Sequence, residues 1–131
     1  MQEATASVLI VDDQAPFRSA ARMVVALSDG FEVVGEAETG ESAVELAAEL
    51  APDLVLMDVN LPGIDGLEAT RQILAGSARP PVIVVLSTYE ADEYAPRAAG
   101  AGAAAFIAKS EFDPDSLEEA WRAAKTAAGA S

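Results

Sequence analysis

Several short apolar runs of this chain lead into residues that can do chemistry. Val8-Leu9-Ile10-Val11 ends on Asp12-Asp13, Leu54-Val55-Leu56-Met57 on Asp58, Val82 to Leu86 on Ser87-Thr88, and Ala105-Phe106-Ile107 runs into Lys109. Singly, each has an ordinary explanation: an aspartate can cap the helix that follows, a serine can belong to a turn, and a lysine can be a solvated charge. Brought to one edge, three carboxylates repel one another and need a cation or raised pKa values. A hard divalent cation resolves the conflict. Mg2+ prefers oxygen ligands in octahedral geometry and keeps several waters, so two or three carboxylates and a backbone carbonyl suffice. Asp13 and Asp58 are expected to be direct ligands and Asp12 to hold a water on the ion. The backbone carbonyl of Asn60 would complete the protein's share. Mn2+ is the alternative ion.

With charge on an incoming phosphoryl group neutralised, a carboxylate oxygen can attack phosphorus and form an aspartyl phosphate. Asp58 is the expected nucleophile, because it ends the most apolar strand while Asp12 and Asp13 lie beside it. Lys109 would pair with the phosphate as a point charge, and the Ser87 hydroxyl would hydrogen-bond one of its oxygens. Composition narrows the alternatives. The chain has no Cys and no His, which removes disulfides, thiolates, imidazole bases and the usual zinc ligands. Its net charge of -14, with eight Lys and Arg, opposes direct binding to nucleic acid or to an anionic membrane surface.

Something must hold these residues at one edge. Five aliphatic runs, Val8 to Val11, Phe31 to Gly35, Leu54 to Met57, Val82 to Leu86 and Ala105 to Ile107, read as strands. Helical spacing covers roughly Pro16 to Leu27, Gly40 to Ala51, Asp65 to Ala75, Glu90 to Ala99 and Asp113 to Ala128. Strands one, three and four are almost uninterruptedly apolar, as central parallel strands covered on both faces must be. Strand two, with Glu32 and Glu36 alternating with apolar residues, reads as an edge. The expected fold is α/β, a flavodoxin-like (βα)5 doubly wound domain with a five-stranded parallel sheet of order 2-1-3-4-5. Length fits one domain over 1–131, with a structured core of about 6–128. Such sheets carry their site beyond the carboxyl ends of the strands at the switch point, where the four candidate strand ends converge.

Two local signals support the frame. Pro62-Gly63 suits the centre of a type II turn, which would fix the loop carrying the Asn60 carbonyl. Asp113-Pro114 reads as N-cap and first residue of the last helix, with Leu117, Trp121 and Ala124 on one face and Trp121 a packing residue.

These residues resemble the receiver domain of bacterial two-component response regulators over essentially the whole chain. The resemblance is carried by Val8 to Asp13, by Leu56-Met57-Asp58-Val59-Asn60-Leu61-Pro62-Gly63-Ile64-Asp65-Gly66, by Val84-Val85-Leu86-Ser87, and by Gly102 through Phe106-Ile107-Ala108-Lys109. Val33-Val34-Gly35-Glu36-Ala37 is similar to the NarL-type branch, whose output is of LuxR type. The resemblance implies that Asp12 and Asp13 hold Mg2+, that a histidine kinase phosphorylates Asp58, and that Ser87 and Lys109 contact the phosphate. It also implies that Phe106 is an aromatic switch that turns inward when Ser87 moves toward the phosphate. The chain would then be a phosphoacceptor rather than a conventional enzyme, pairing into a homodimer on phosphorylation and acting on a downstream protein or a covalently linked output domain. Two positions depart from the family pattern. Ser110 follows Lys109 where many receivers have Pro, and Pro96 falls inside the fourth helix, which is expected to start late or bend.

Other readings compete. A small phosphatase with an Asp nucleophile would place a second Asp two residues on, where this chain has Asn60. A nucleotide or flavin binder of the same fold would want Gly, Ser or Thr after strand one rather than Asp12-Asp13. The chain could instead be the regulatory half of a DNA-binding transcription factor whose helix-turn-helix domain lies outside these residues. Its end, Ala127-Ala128-Gly129-Ala130-Ser131, suits a free tail or a linker. Neither a signal peptide nor a membrane span fits the N-terminus, so a cytoplasmic location is expected. Tyr89 and Asn60 stand where side chains would control access of water to a phosphoryl group.

Overall fold

The computed structural model describes residues 5–88 and 91–130, of which 91–93 and 128–130 are described by backbone alone. Three apolar runs form the middle of the sheet: β1 (Ala6–Val11), β3 (Leu54–Asp58) and β4 (Val82–Ser87). β2 (Phe31–Ala37) and β5 (Ala105–Ala108) are its edges. All pairings are parallel, in the expected order β2-β1-β3-β4-β5.

Successive residues of a strand face opposite sides, so continuous apolar strands build two cores. Leu9, Val11, Val55, Met57, Ile83 and Val85 form one with buried residues of α2 (Gly40–Leu50), α3 (Gly66–Ala75) and α4 (Ala91–Ala101). Val8, Ile10, Leu54, Leu56, Val84 and Leu86 form the other under Ala21 and Val25 of α1 (Ala15–Leu27) and Leu117 of α5 (Pro114–Ala130). Burying each Leu, Ile, Val or Met side chain contributes about 1.5–3 kcal/mol. The ladder between β1 and β2 slips by one: Val8 pairs with Val33 and Leu9 with Gly35. Val34 is left opposite no β1 residue and 38% exposed.

Polar side chains start the helices where the pattern places them. The Thr39 hydroxyl accepts from the Ser42 amide at 3.0 Å, Asp65 Oδ1 from the Glu68 amide at 2.8 Å, and Asp113 Oδ1 from the Ser116 amide at 2.8 Å, with Pro114 the first helical residue. Gly63 has φ +77°, as the second centre of a type II turn requires. Trp121 packs edge-on to Phe31, ring centroids 5.6 Å apart, and joins α5 to the edge strand.

Of the two expectations at Pro96, a late start or a bend, the late start is corrected. The fourth helix does not start late: α4 begins at Ala91 and runs through Pro96 to Ala101. Proline removes a backbone hydrogen bond, at about 3 kcal/mol. Here its ring lies on the exposed side, while Ala98 and Ala101 are buried in the core and Tyr94 packs against it. Tertiary packing overrides local propensity. Tyr89 and Glu90 lie outside the described residues. No helix among the described residues is long and apolar enough to cross a membrane.

Candidate functional site

The parallel registers decide which strand ends meet. Val11 pairs with Met57, Asp58 with Leu86, and Ser87 with Ala108, so Asp12, Asp58, Ser87 and Lys109 stand at the ends of adjacent strands on one edge. Asp12, Asp13 and Asp58 each offer a carboxylate oxygen, all within 4.8 Å of one another. Asp12 and Asp58 are buried, at 1% and 5% exposure, and Asp13 is exposed.

Lys109 reaches this cluster from the end of β5. Its Nζ donates to Asp12 Oδ2 at 2.6 Å and lies 3.5 Å from Asp58 Oδ1. Asp12 is held at two further points, because its Oδ1 accepts from the Gln14 amide at 2.8 Å and its backbone carbonyl accepts from Arg18 Nη1 at 2.7 Å. Arg18 is oriented in turn by Glu36 on β2, 3.1 Å from its Nε, and Glu36 also pairs with Arg22 at 2.5 Å. Asp58 Oδ1 accepts from the Asn60 amide at 3.3 Å.

Burial, and then the neighbouring Asp12 carboxylate, push the Asp58 carboxyl up from its ordinary 3.8 to about 6. The Lys109 ammonium and the Asn60 amide pull in the opposite direction and do not compensate. Three carboxylates against one ammonium leave an excess of negative charge on oxygen ligands alone. That donor set fits a hard divalent cation, with exposed Asp13 offering the approach.

The structure therefore brings together Asp12, Asp13, Asp58 and Lys109. Ser87 ends β4 beside them and is 1% exposed. Asn60 is exposed at the start of the loop after β3. Phe106, on β5, is partly buried against the same core as Tyr94.

Sequence reasoning missed several supports. Phe17 lies with its ring centroid 4.4 Å from Lys109 Nζ. Arg18, oriented by Glu36, holds the Asp12 carbonyl. Glu41 accepts from the Ile64 amide at 3.2 Å and so ties the loop after Asn60 to α2. Gly66 backs onto the Asp58 backbone. One of these left a signal: Arg18 ends the first turn of a helix that carries no acidic residue there, where the helix dipole disfavours a cation. A basic residue so placed needs an outside partner.

Comparison with known proteins follows the same lines. The family described as "Response regulator receiver domain" matches residues 8–122. The chain is 39% identical over 114 residues to the transcriptional regulatory protein DegU of Brevibacillus brevis, covering 86% of this chain and 47% of that protein. It is 45% identical over 103 residues to the response regulator GacA of Pseudomonas aeruginosa, covering 78% of this chain and 47% of that protein. Among solved structures, the signal receiver domain of the putative response regulator NarL from Mycobacterium tuberculosis superposes with a TM-score of 0.85 at 28% identity, covering 94% of this chain and 98% of that one. The chain spans about half the length of the curated relatives it matches.

Proposed function

The chain belongs to the response regulator receiver domain family, matching it over residues 8–122, and from that premise we propose that Asp58 accepts a phosphoryl group from a histidine kinase. A carboxylate oxygen of Asp58 forms the bond to phosphorus as the bond from phosphorus to the donor's leaving atom breaks. Asp13, Asp58 and the Asn60 carbonyl are the proposed direct ligands of Mg2+, with Asp12 holding a water on the ion, which when bound neutralises charge on the phosphoryl oxygens. Lys109 exchanges part of its hold on Asp12 for a phosphoryl oxygen, and the Ser87 hydroxyl donates to another. Phe106 follows Ser87 inward and alters the surface of α4 and β5. The observation that carries this reading is the cluster of Asp12, Asp13 and Asp58 oxygens within 4.8 Å with the Lys109 ammonium 3.5 Å from Asp58.

Residues 1–131 are read as one receiver domain, a cytoplasmic phosphoacceptor rather than a turnover enzyme. It pairs with a second copy on phosphorylation and passes the signal to a downstream protein or a linked output domain. Coverage of 47% of a transcriptional regulatory protein favours a second reading of the context, in which the same domain is the regulatory half of a DNA-binding regulator. Incubation with Mg2+ and acetyl phosphate, followed by intact-mass measurement, tests the chemistry. One phosphoryl group is expected on the wild type and none on Asp58→Asn, and equal labelling of the two would remove Asp58 as acceptor.

A further inference from the structure

The Lys109 ammonium has a neighbour that phosphoryl transfer as outlined does not use. The Phe17 ring centroid lies 4.4 Å from Nζ, inside the about 6 Å over which an aromatic face attracts a cation. Asp12 at 2.6 Å and Asp58 at 3.5 Å engage the same ammonium. The ring adds attraction without claiming one of its three N–H donors. Only 12% of the Lys109 side chain is exposed, so little water weakens the contact. Phe17 is itself braced: it stands in the first turn of α1, packs against the core shared by α1 and α5, and meets the Phe112 ring at 6.4 Å. Phe112 directly follows the 3-10 turn Lys109–Glu111. Phe112 thus braces the ring that faces Lys109.

Building on the phosphoacceptor reading, we infer that Phe17 is a positioning residue that keeps the Lys109 ammonium beside Asp58 and so sets how tightly a phosphoryl group is held there. The physical reason is competition. Asp12 and Asp58 are the carboxylates that a divalent cation would also claim, and like charges drawn to the same oxygens repel. The ring face carries no net charge, is fixed to the protein, and offers a cation of that kind no ligand atom. It retains the lysine where the carboxylates are shared.

Replacing Phe17 by mono-, di- and trifluorophenylalanine drains the negative ring face with almost no change of shape. The series is made in the wild type and in Lys109→Ala, and each protein is titrated with Mg2+ and then with beryllofluoride. Beryllofluoride binding is expected to weaken stepwise, about five- to tenfold by the trifluoro ring, with Mg2+ affinity unchanged and the series flat in Lys109→Ala. Phe17→Tyr should retain binding and Phe17→Leu weaken it at least as much as the trifluoro ring does. In the metal-free protein, ring shielding of the Lys109 ε-methylene protons should disappear in Phe17→Leu. A flat fluorine series in the presence of Lys109, or an equal slope in Lys109→Ala, overturns the inference alone. Wild-type protein that binds no beryllofluoride overturns the phosphoacceptor reading, and the inference with it.

Discussion

Gly66 lies against the backbone carbonyl of Asp58, so close that a β-carbon on Gly66 would collide with the carbonyl oxygen and stand 2.8 Å from its carbon and 3.0 Å from Val59 Cα. The Gly66 amide also donates to the Val59 carbonyl at 2.9 Å. The first turn of α3 is thus folded onto the strand end that carries the acceptor. Gly66→Ala must push one from the other, which should cost about 1–3 kcal/mol of stability and slow phosphoryl uptake. Thermal unfolding and a mass time course with acetyl phosphate measure the two effects. Wild-type values for both would mean that the contact relaxes without moving Asp58.

Metal binding and phosphate binding should separate. Asp13 is exposed and adds a carboxylate to the cluster, so Asp13→Asn is expected to weaken Mg2+ binding at least tenfold and to slow phosphorylation. Lys109→Ala removes the cation that competes for Asp12 and Asp58. Mg2+ should bind at least as tightly to that variant, while the switch on phosphorylation is impaired. Calorimetric Mg2+ titration of the three proteins decides it, and equal affinity in wild type and Asp13→Asn would contradict the ligand assignment.

Asp58 should leave a mark on stability against pH when divalent ions are absent. Its folded pKa, about 6, lies above the ordinary 3.8. Between those values the folded state binds more protons than the unfolded state, so its contribution is present below the lower value and lost as pH rises through the upper. The loss at neutral pH is on the order of 3 kcal/mol. Urea unfolding in a chelator at several pH values should show it. Asp58→Asn should abolish this part of the slope and stabilise the protein at neutral pH, and an identical slope in the variant would rule out Asp58 as its source.

Helix α4 should be the element most ordered by activation. Pro96 interrupts its hydrogen bonding, and it joins the two positions, Ser87 and Phe106, expected to move together. Amide exchange over residues 91–101 should be faster than in α3 or α5 before activation and should slow on adding Mg2+ and beryllofluoride. Such a shift requires the phosphoryl mimic to favour one state by differential contacts. Protection equal to that of the central strands at the outset, or no change afterwards, would break the proposed route from Asp58 to this surface.

The sheet and the acidic cluster were legible because their causes are local. Unbroken apolar runs at β1, β3 and β4 can only be central strands, Glu32 and Glu36 mark β2 as an edge, and the topology then forces the strand ends together. The passage of α4 through Pro96 was not legible, since Ala98 and Ala101 meet their burial partners only after the chain has folded. Phe17 beside Lys109 and Gly66 beside Asp58 escaped for a related reason. An aromatic residue and a glycine have many uses, and their use here depends on what the sheet carries to them.

The unpaired residue at Val34 does more than lengthen an edge strand. Side chains alternate along β2, so one extra residue reverses the parity of all that follows it. With the slip in place, Glu36 pairs with Ile10 and Ala37 with Val11. Glu36 therefore shares the α1 side of the sheet with Ile10, within reach of Arg18 and Arg22, while Ala37 enters the opposite core. A ladder that kept Val34 but lost the slip would pair Leu9 with Val34 and Val11 with Glu36 and so exchange those sides, driving a carboxylate among aliphatic residues and depriving Arg18 of the partner that steadies it against the Asp12 carbonyl. The edge of the sheet thus counts for its centre: a one-residue slip on β2 determines whether the guanidinium bracing Asp12 has anything to push against.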